Sequence, residues 1–186
     1  MTAQVPETVR INGIKYALCG VRGEGLFNPD LFEIEPAAPN TSCWRGFICG
    51  YAVCNNRLVL DDLQLWSDST RWNTNRERLE RLFGDKIELN STRNRVDTKG
   101  LAHSLPFTGS LLLGDHLIQD LYAHMGFHPA YKYRNSLELT FESGLLLSQC
   151  DRSTAMEEIR HTEDLAVIDA EKDLTGWIKD SYRIDY

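Results

Sequence analysis

Three two-residue turns constrain this chain more than any other feature. Asn12-Gly13, Asn55-Asn56 and Ser143-Gly144 each separate two apolar runs. A tight hairpin turn of type I′ needs positive φ at both central positions, which Asn and Gly adopt at low cost. A chain with three such turns folds largely as antiparallel hairpins. The first joins Thr8–Ile11 to Ile14–Cys19. The second joins Cys43–Cys54 to Arg57–Trp66. The third joins Ser136–Glu142 to Leu145–Cys150. The expected fold is α+β: a mainly antiparallel sheet, barrel-like or sandwich-like, with two to four short helices.

The alternation inside these strands carries further detail. Leu137, Leu139 and Phe141 share one face, with Glu138, Thr140 and Glu142 on the other. In the second hairpin Phe47, Tyr51 and Val53 form a bulky face. Gly46, Gly50 and Ala52 share the opposite face with Trp44 and Ile48, which lets another element approach closely. The apolar parity then runs Leu58, Leu60 and Leu63, Leu65, slipping by one at Asp61-Asp62. A β-bulge accounts for the slip. Two adjacent carboxylates on a strand point to opposite faces and cooperate in chemistry only if a bulge re-aims one of them.

Other segments read more simply. Gly20-Val21-Arg22-Gly23-Glu24-Gly25 lacks a phosphate-loop lysine and reads as a tight turn. Leu26 to Asn40 is an irregular, proline-rich cover. Asn73 to Phe83 is a surface helix capped by Asn73 or Thr74, burying Leu79, Leu82 and Phe83, and stopped by Gly84. Lys86–Leu89 is a short strand, and Asn90 to Ser104 has no periodicity and reads as a loop. Leu105–Leu113 is a strand. Asp115 then caps a short helix with Leu117, Ile118, Leu121 and Tyr122 on its apolar face. Thr154 to Arg160 is helical, as is the stretch of Ala170, Leu174, Trp177 and Ile178 capped by Asp169.

The 186 residues fit one domain, with a core over about 8–150 and an acidic extension over 151–186. No apolar run suits a spanning helix, and the first residues lack an apolar signal core, so the expected location is cytoplasmic, with no membrane partner. In a reducing compartment the odd set Cys19, Cys43, Cys49, Cys54 and Cys150 is expected as free, buried thiols. The formal net charge of −7 disfavours nucleic acid. Residues 71–100, with eight basic and five acidic side chains, keep nucleic-acid binding as an alternative.

The chemistry-bearing residues cluster between His103 and Arg134. His116, His124 and His128 lie near Asp115 and Asp120 without a metal-ligand spacing, and Gly126 and Pro129 oppose a helix that would align His124 with His128. No Gly-x-Ser-x-Gly elbow occurs. No cofactor and no metal ligand set is expected. A metal-dependent or histidine-based enzyme built on 115–128 is the first alternative. The reading favoured is a protein-binding surface of Tyr122, His124, Phe127, His128, Tyr131, Tyr133 and Arg134. Trp44 and Arg45 join it if the two segments meet in space. Tyr and Arg suit such a surface, because they bury large area with polar ends that find partners.

Two stretches carry a resemblance. Trp44-Arg45-Gly46-Phe47, leading into the strand of Tyr51, resembles an aromatic-Arg-Gly-aromatic signature of uncharacterised bacterial proteins. Tyr122-Ala123-His124-Met125-Gly126-Phe127, following Phe107-Thr108-Gly109, resembles their second signature. Together they cover about residues 44–66 and 105–149. The resemblance implies a bacterial protein of unassigned role and carries over no catalytic residue. Acidity, size and the missing catalytic motif fit an accessory or immunity-type protein that blocks or adapts a partner.

Overall fold

The computed structural model describes residues 2–161. The helix expected around Asp169 lies outside them. Ten strands form one mixed, mostly antiparallel sheet: β1 (Thr8–Ile11), β2 (Ile14–Glu24), β3 (Phe47–Cys54), β4 (Arg57–Trp66), β5 (Ile87–Asn90), β6 (Arg95–Thr98), β7 (His103–Ser104), β8 (Thr108–Leu117), β9 (Tyr133–Glu142) and β10 (Leu145–Asp151). Among the described residues two α-helices, α1 (Trp72–Phe83) and α2 (Ser153–His161), complete an α+β fold.

The three hairpins form in the expected registers. Ile11 faces Ile14, Cys54 faces Arg57 and Glu142 faces Leu145. The turn residues Asn12, Asn55, Asn56 and Ser143 all have positive φ. The strand path runs β10-β9-β8-β2-β1-β3-β4, and β10 returns to β4 through Leu145 and Arg57. The sheet therefore closes into a barrel. β4 makes closure possible because its second edge is shared in turn by β10, β7 and β6. The β1–β3 pair is parallel. The chain between β2 and β3 must therefore cross one end of the barrel. It does so with Phe27 and Ile34 buried, and Phe27 packs on Phe32, Phe47 and Phe83.

The interior is apolar and filled. Leu58, Leu60, Leu63, Leu65, Phe107, Leu111, Leu113 and Leu139 are fully buried. Each such side chain contributes about 1.5–3 kcal/mol by leaving water. A second, smaller core lies outside the barrel wall, where Cys19, Leu112, Tyr131, Tyr133 and Met156 pack under α2. α2 buries Met156 and packs Ile159, as its spacing requires. α1 buries Leu79 and Phe83 and stops at Gly84. The turn that leads into it is held by Asp68, which accepts from the Thr70 and Arg71 amides, and Asn73 and Thr74 lie inside the helix with Arg71 at its N-cap. Asn75 is buried instead and ties α1 to Glu35 and Ser67.

Four expectations are corrected. The glycine-rich stretch after Cys19 is not a turn but the second half of β2. Gly23 opposes Gly109, and a Cβ on Gly23 would stand 2.1 Å from the Thr108 oxygen, so two glycines let the strands meet. Residues 90–104 are not a loop. They hold β6 and β7, whose single buried apolar residue in β6, Val96, is too little to show a period of two. No helix starts at Asp115. β8 continues to Leu117 because β9 offers it ladder partners through Ser136, Asn135 and Tyr133. Gly114 sits inside that ladder because the Tyr133 ring lies over it, 2.5 Å from where a Cβ would be. Finally, Cys54 and Cys150 are exposed, while Cys19, Cys43 and Cys49 are buried.

Candidate functional site

The alternation of β1 puts Val9 and Ile11 into the barrel, and one step back it puts Glu7 there too. Glu7 is 4% exposed, a carboxyl at the end of an apolar interior. Its partner is Arg45, whose Nη1 donates to Oε1 at 3.0 Å. Burial pushes the Glu7 carboxyl above its usual range, and the Arg45 charge pulls it partly back. Cys49 and Tyr51, inward on β3, lie close enough to feel that charge. Burial and Glu7 hold both their pKa values high, so both stay neutral. The Tyr51 hydroxyl is buried and makes no hydrogen bond of good geometry.

Arg45 also carries the surface. Its guanidinium lies 5.2 Å from the centre of the Phe47 ring and 5.1 Å from that of Phe127. The two distant sequence segments thus meet, and Trp44 and Arg45 belong with the 122–128 loop. Gln4 holds the same junction. Its amide donates to Gly126 O at 2.8 Å, its side chain donates to Thr41 O at 2.7 Å, and its Oε1 accepts from the Trp44 amide at 3.1 Å. Trp44, at this junction, is 48% exposed, and Tyr122, at the start of the 122–128 loop, is 42% exposed.

The loop is built on His128. The Tyr122 ring packs 4.9 Å from His128 and 5.0 Å from His124, centre to centre. His128 is buried, and its Nε2 meets the Ala123 backbone. Burial lowers its pKa, so the neutral ring is favoured. His128 is therefore a staple for the loop, and His124 is its exposed edge.

The remaining residues of the expected surface go elsewhere. Tyr131 and Tyr133 are core residues under α2, because β9 begins at Tyr133 and turns that ring onto Gly114. Arg134 is exposed on the side of α2, beside Glu157 and His161. His116 meets Asp115 and Asn135 on the β8–β9 ladder. Among the described residues no three His, Cys, Asp or Glu side chains gather in a way that could hold a metal ion. In the 71–100 stretch, Arg71 pairs with Glu35, Arg76 with Glu80, Arg78 with Glu33 and Arg95 with Asp97. These carboxylates break the stretch up as a phosphate-binding face.

Sequence reasoning missed Glu7 and Gln4. Extending the β1 alternation backwards by one step would have found Glu7. Nothing local marks Gln4, whose partners Thr41, Trp44 and Gly126 lie far along the chain. Compared with protein-family models, with curated proteins and with solved structures, the chain matches none.

Proposed function

We propose that this protein acts by binding another protein, through the surface where Trp44 and Arg45 meet the 122–128 loop. One observation carries the reading: Arg45, anchored on buried Glu7, packs on both Phe47 and Phe127 and so joins the segment of half-exposed Trp44 to the loop of half-exposed Tyr122. Aromatic and Arg side chains held rigid from below lose little entropy on docking, which is what interface anchors need. The exposed His124 edge adds a polar rim. Tyr131, Tyr133 and Arg134 drop out of the surface.

The class of role we propose is an accessory or immunity-type protein of the bacterial cytoplasm that blocks or adapts its partner. Its net charge of −7, its length of 186 residues and a sequence without a recognised catalytic motif support it, and the two signatures, which resemble bacterial proteins of unassigned role, meet at Arg45 and Phe127. No described helix is long and apolar enough to cross a membrane.

The test is affinity to a partner captured from a bacterial host and then purified. Trp44→Ala with Tyr122→Ala should weaken binding by about a hundredfold, the loss of two anchors. Equal affinity of the folded double variant would overturn the surface. A reproducible turnover abolished by His124→Ala would overturn the binding role itself.

A further inference from the structure

The Asp61-Asp62 pair takes no part in that surface, and the structure gives it a distinct setting. The register of β3 on β4 shifts there, with Gly50 opposite Asp62 and Tyr51 opposite Leu60. Asp61 is the extra residue of the bulge and pairs with Arg10. Asp62 is left on the outer face of the barrel, directly over Gly50, where a Cβ would stand 3.1 Å from its own Cβ. The bulge thus leaves Asp61 on Arg10 and Asp62 over Gly50.

Asp62 opens onto a cleft of about 620 Å³ between the N-terminal segment, the outer face of β3 and β4, and the β5–β6 hairpin. That volume suits a small ligand. Asp62 makes no hydrogen bond or ion pair among the described residues. Partial burial and then the neighbouring Asp61 charge raise its pKa, while Lys15, Arg10 and Lys99 pull it back through space without closing onto it, and of these Arg10 is already paired with Asp61. Gln64 and Glu88 line the same cleft, and at its edge Asp97 is occupied by Arg95. A partly dehydrated carboxylate that lines one cleft with Lys15 and Lys99 and makes no ion pair with either leaves both signs of charge to be answered from outside.

We propose that this cleft binds a small zwitterion, an amino acid or dipeptide, with its ammonium on Asp62 and its carboxylate on Lys15 and Lys99. This goes beyond the aromatic surface, which shares none of these residues. A ligand with one charge would satisfy Asp62 or the lysines and leave the other uncompensated. A zwitterion satisfies both and leaves the cleft's balance of charge unchanged.

The test is a titration of the isotope-labelled protein with alanyl-alanine, followed by the amide resonances of Gly50, Asp62 and Lys99. Saturable shifts are expected at millimolar dipeptide. N-acetyl-alanyl-alanine, without the ammonium, and alanyl-alanine amide, without the carboxylate, should each bind at least about tenfold more weakly, the loss of one charge-assisted contact. Asp62→Asn should weaken the dipeptide to the same degree. Lys99→Gln, at an exposed position, gives an independent reading if Asp62→Asn disturbs the bulge. No saturable shift, equal binding of the blocked forms, or unchanged affinity in both variants would overturn the proposal. Trp44→Ala should leave the titration as it is, which separates this site from the protein-binding surface.

Discussion

The Arg45 guanidinium lies 5.1 Å from the centre of the Phe127 ring while donating to Glu7 from below. One side chain thus joins the buried end of the barrel to an outer loop. A cation between two aromatic rings and above a carboxylate is fixed from three sides. The loop inherits its position from the core.

Removing Arg45 should therefore be felt in stability as well as at the surface. Arg45→Ala leaves the Glu7 carboxyl buried without its counter-charge and removes two ring contacts. Glu7 can take up a proton, which limits the penalty. The expected loss is about 2 kcal/mol, a fall in Tm of about 4–8 °C. Phe127→Ala, which spares the ion pair, should cost about 1 kcal/mol. Calorimetry on both variants checks the order, and Phe127→Ala being the more damaging would contradict it.

The raised pKa of Glu7 has a sign that can be followed. A carboxyl whose folded pKa lies above its ordinary 4.5 binds its proton more tightly folded than unfolded. Its contribution to stability is full below about pH 4.5 and is lost as pH rises through the folded value. In Glu7→Gln this component vanishes. Urea unfolding between pH 4.5 and 7 should show the variant gaining on the wild type as pH rises. A gap that does not change with pH would contradict the burial of that carboxyl.

His128 titrates in the opposite sense. Its folded pKa is lowered from 6.5 by burial, so its contribution is present above pH 6.5 and is lost as pH falls through the folded value. The 122–128 loop should therefore loosen under mild acid while the hairpins stay intact. Hydrogen exchange at the Ala123 amide, which meets His128 Nε2, should speed up below pH 6.5 after correction for the intrinsic rate. His128→Ala should remove that dependence.

Gly109 tests the barrel wall. A Cβ there would stand 1.9 Å from the Arg22 carbonyl oxygen. Gly109→Ala must push β2 and β8 apart, at about 3 kcal/mol or a fall of about 6–12 °C in Tm. A variant of unchanged Tm would mean that the two strands are not paired as described.

The hairpins could be read from the sequence because their causes are local. Asn12-Gly13, Asn55-Asn56 and Ser143-Gly144 carry their turn chemistry in two residues, and the slip at Asp61-Asp62 announces its bulge in the parity of the leucines. Other features depend on partners far along the chain. Asp115 reads as a helix cap until β9 is placed beside β8, with the Tyr133 ring on Gly114. Gly23 reads as a turn until Gly109 is placed opposite. β6 hides behind one buried valine, and its strand character comes from the ladders it makes to β4 and β5. The surface was half legible for the same reason. Composition singled out the aromatic and histidine segment, but β9 takes Tyr131 and Tyr133 into the core, and Arg45 reaches Phe127 only once the barrel has closed.

The most direct measurement of the central claim is hydrogen exchange on the protein with and without its purified partner. The binding account predicts protection confined to residues 41–47 and 122–128, with the barrel strands unchanged. Protection over residues 71–100 or α2 instead, with none at Trp44 and Tyr122, would contradict it.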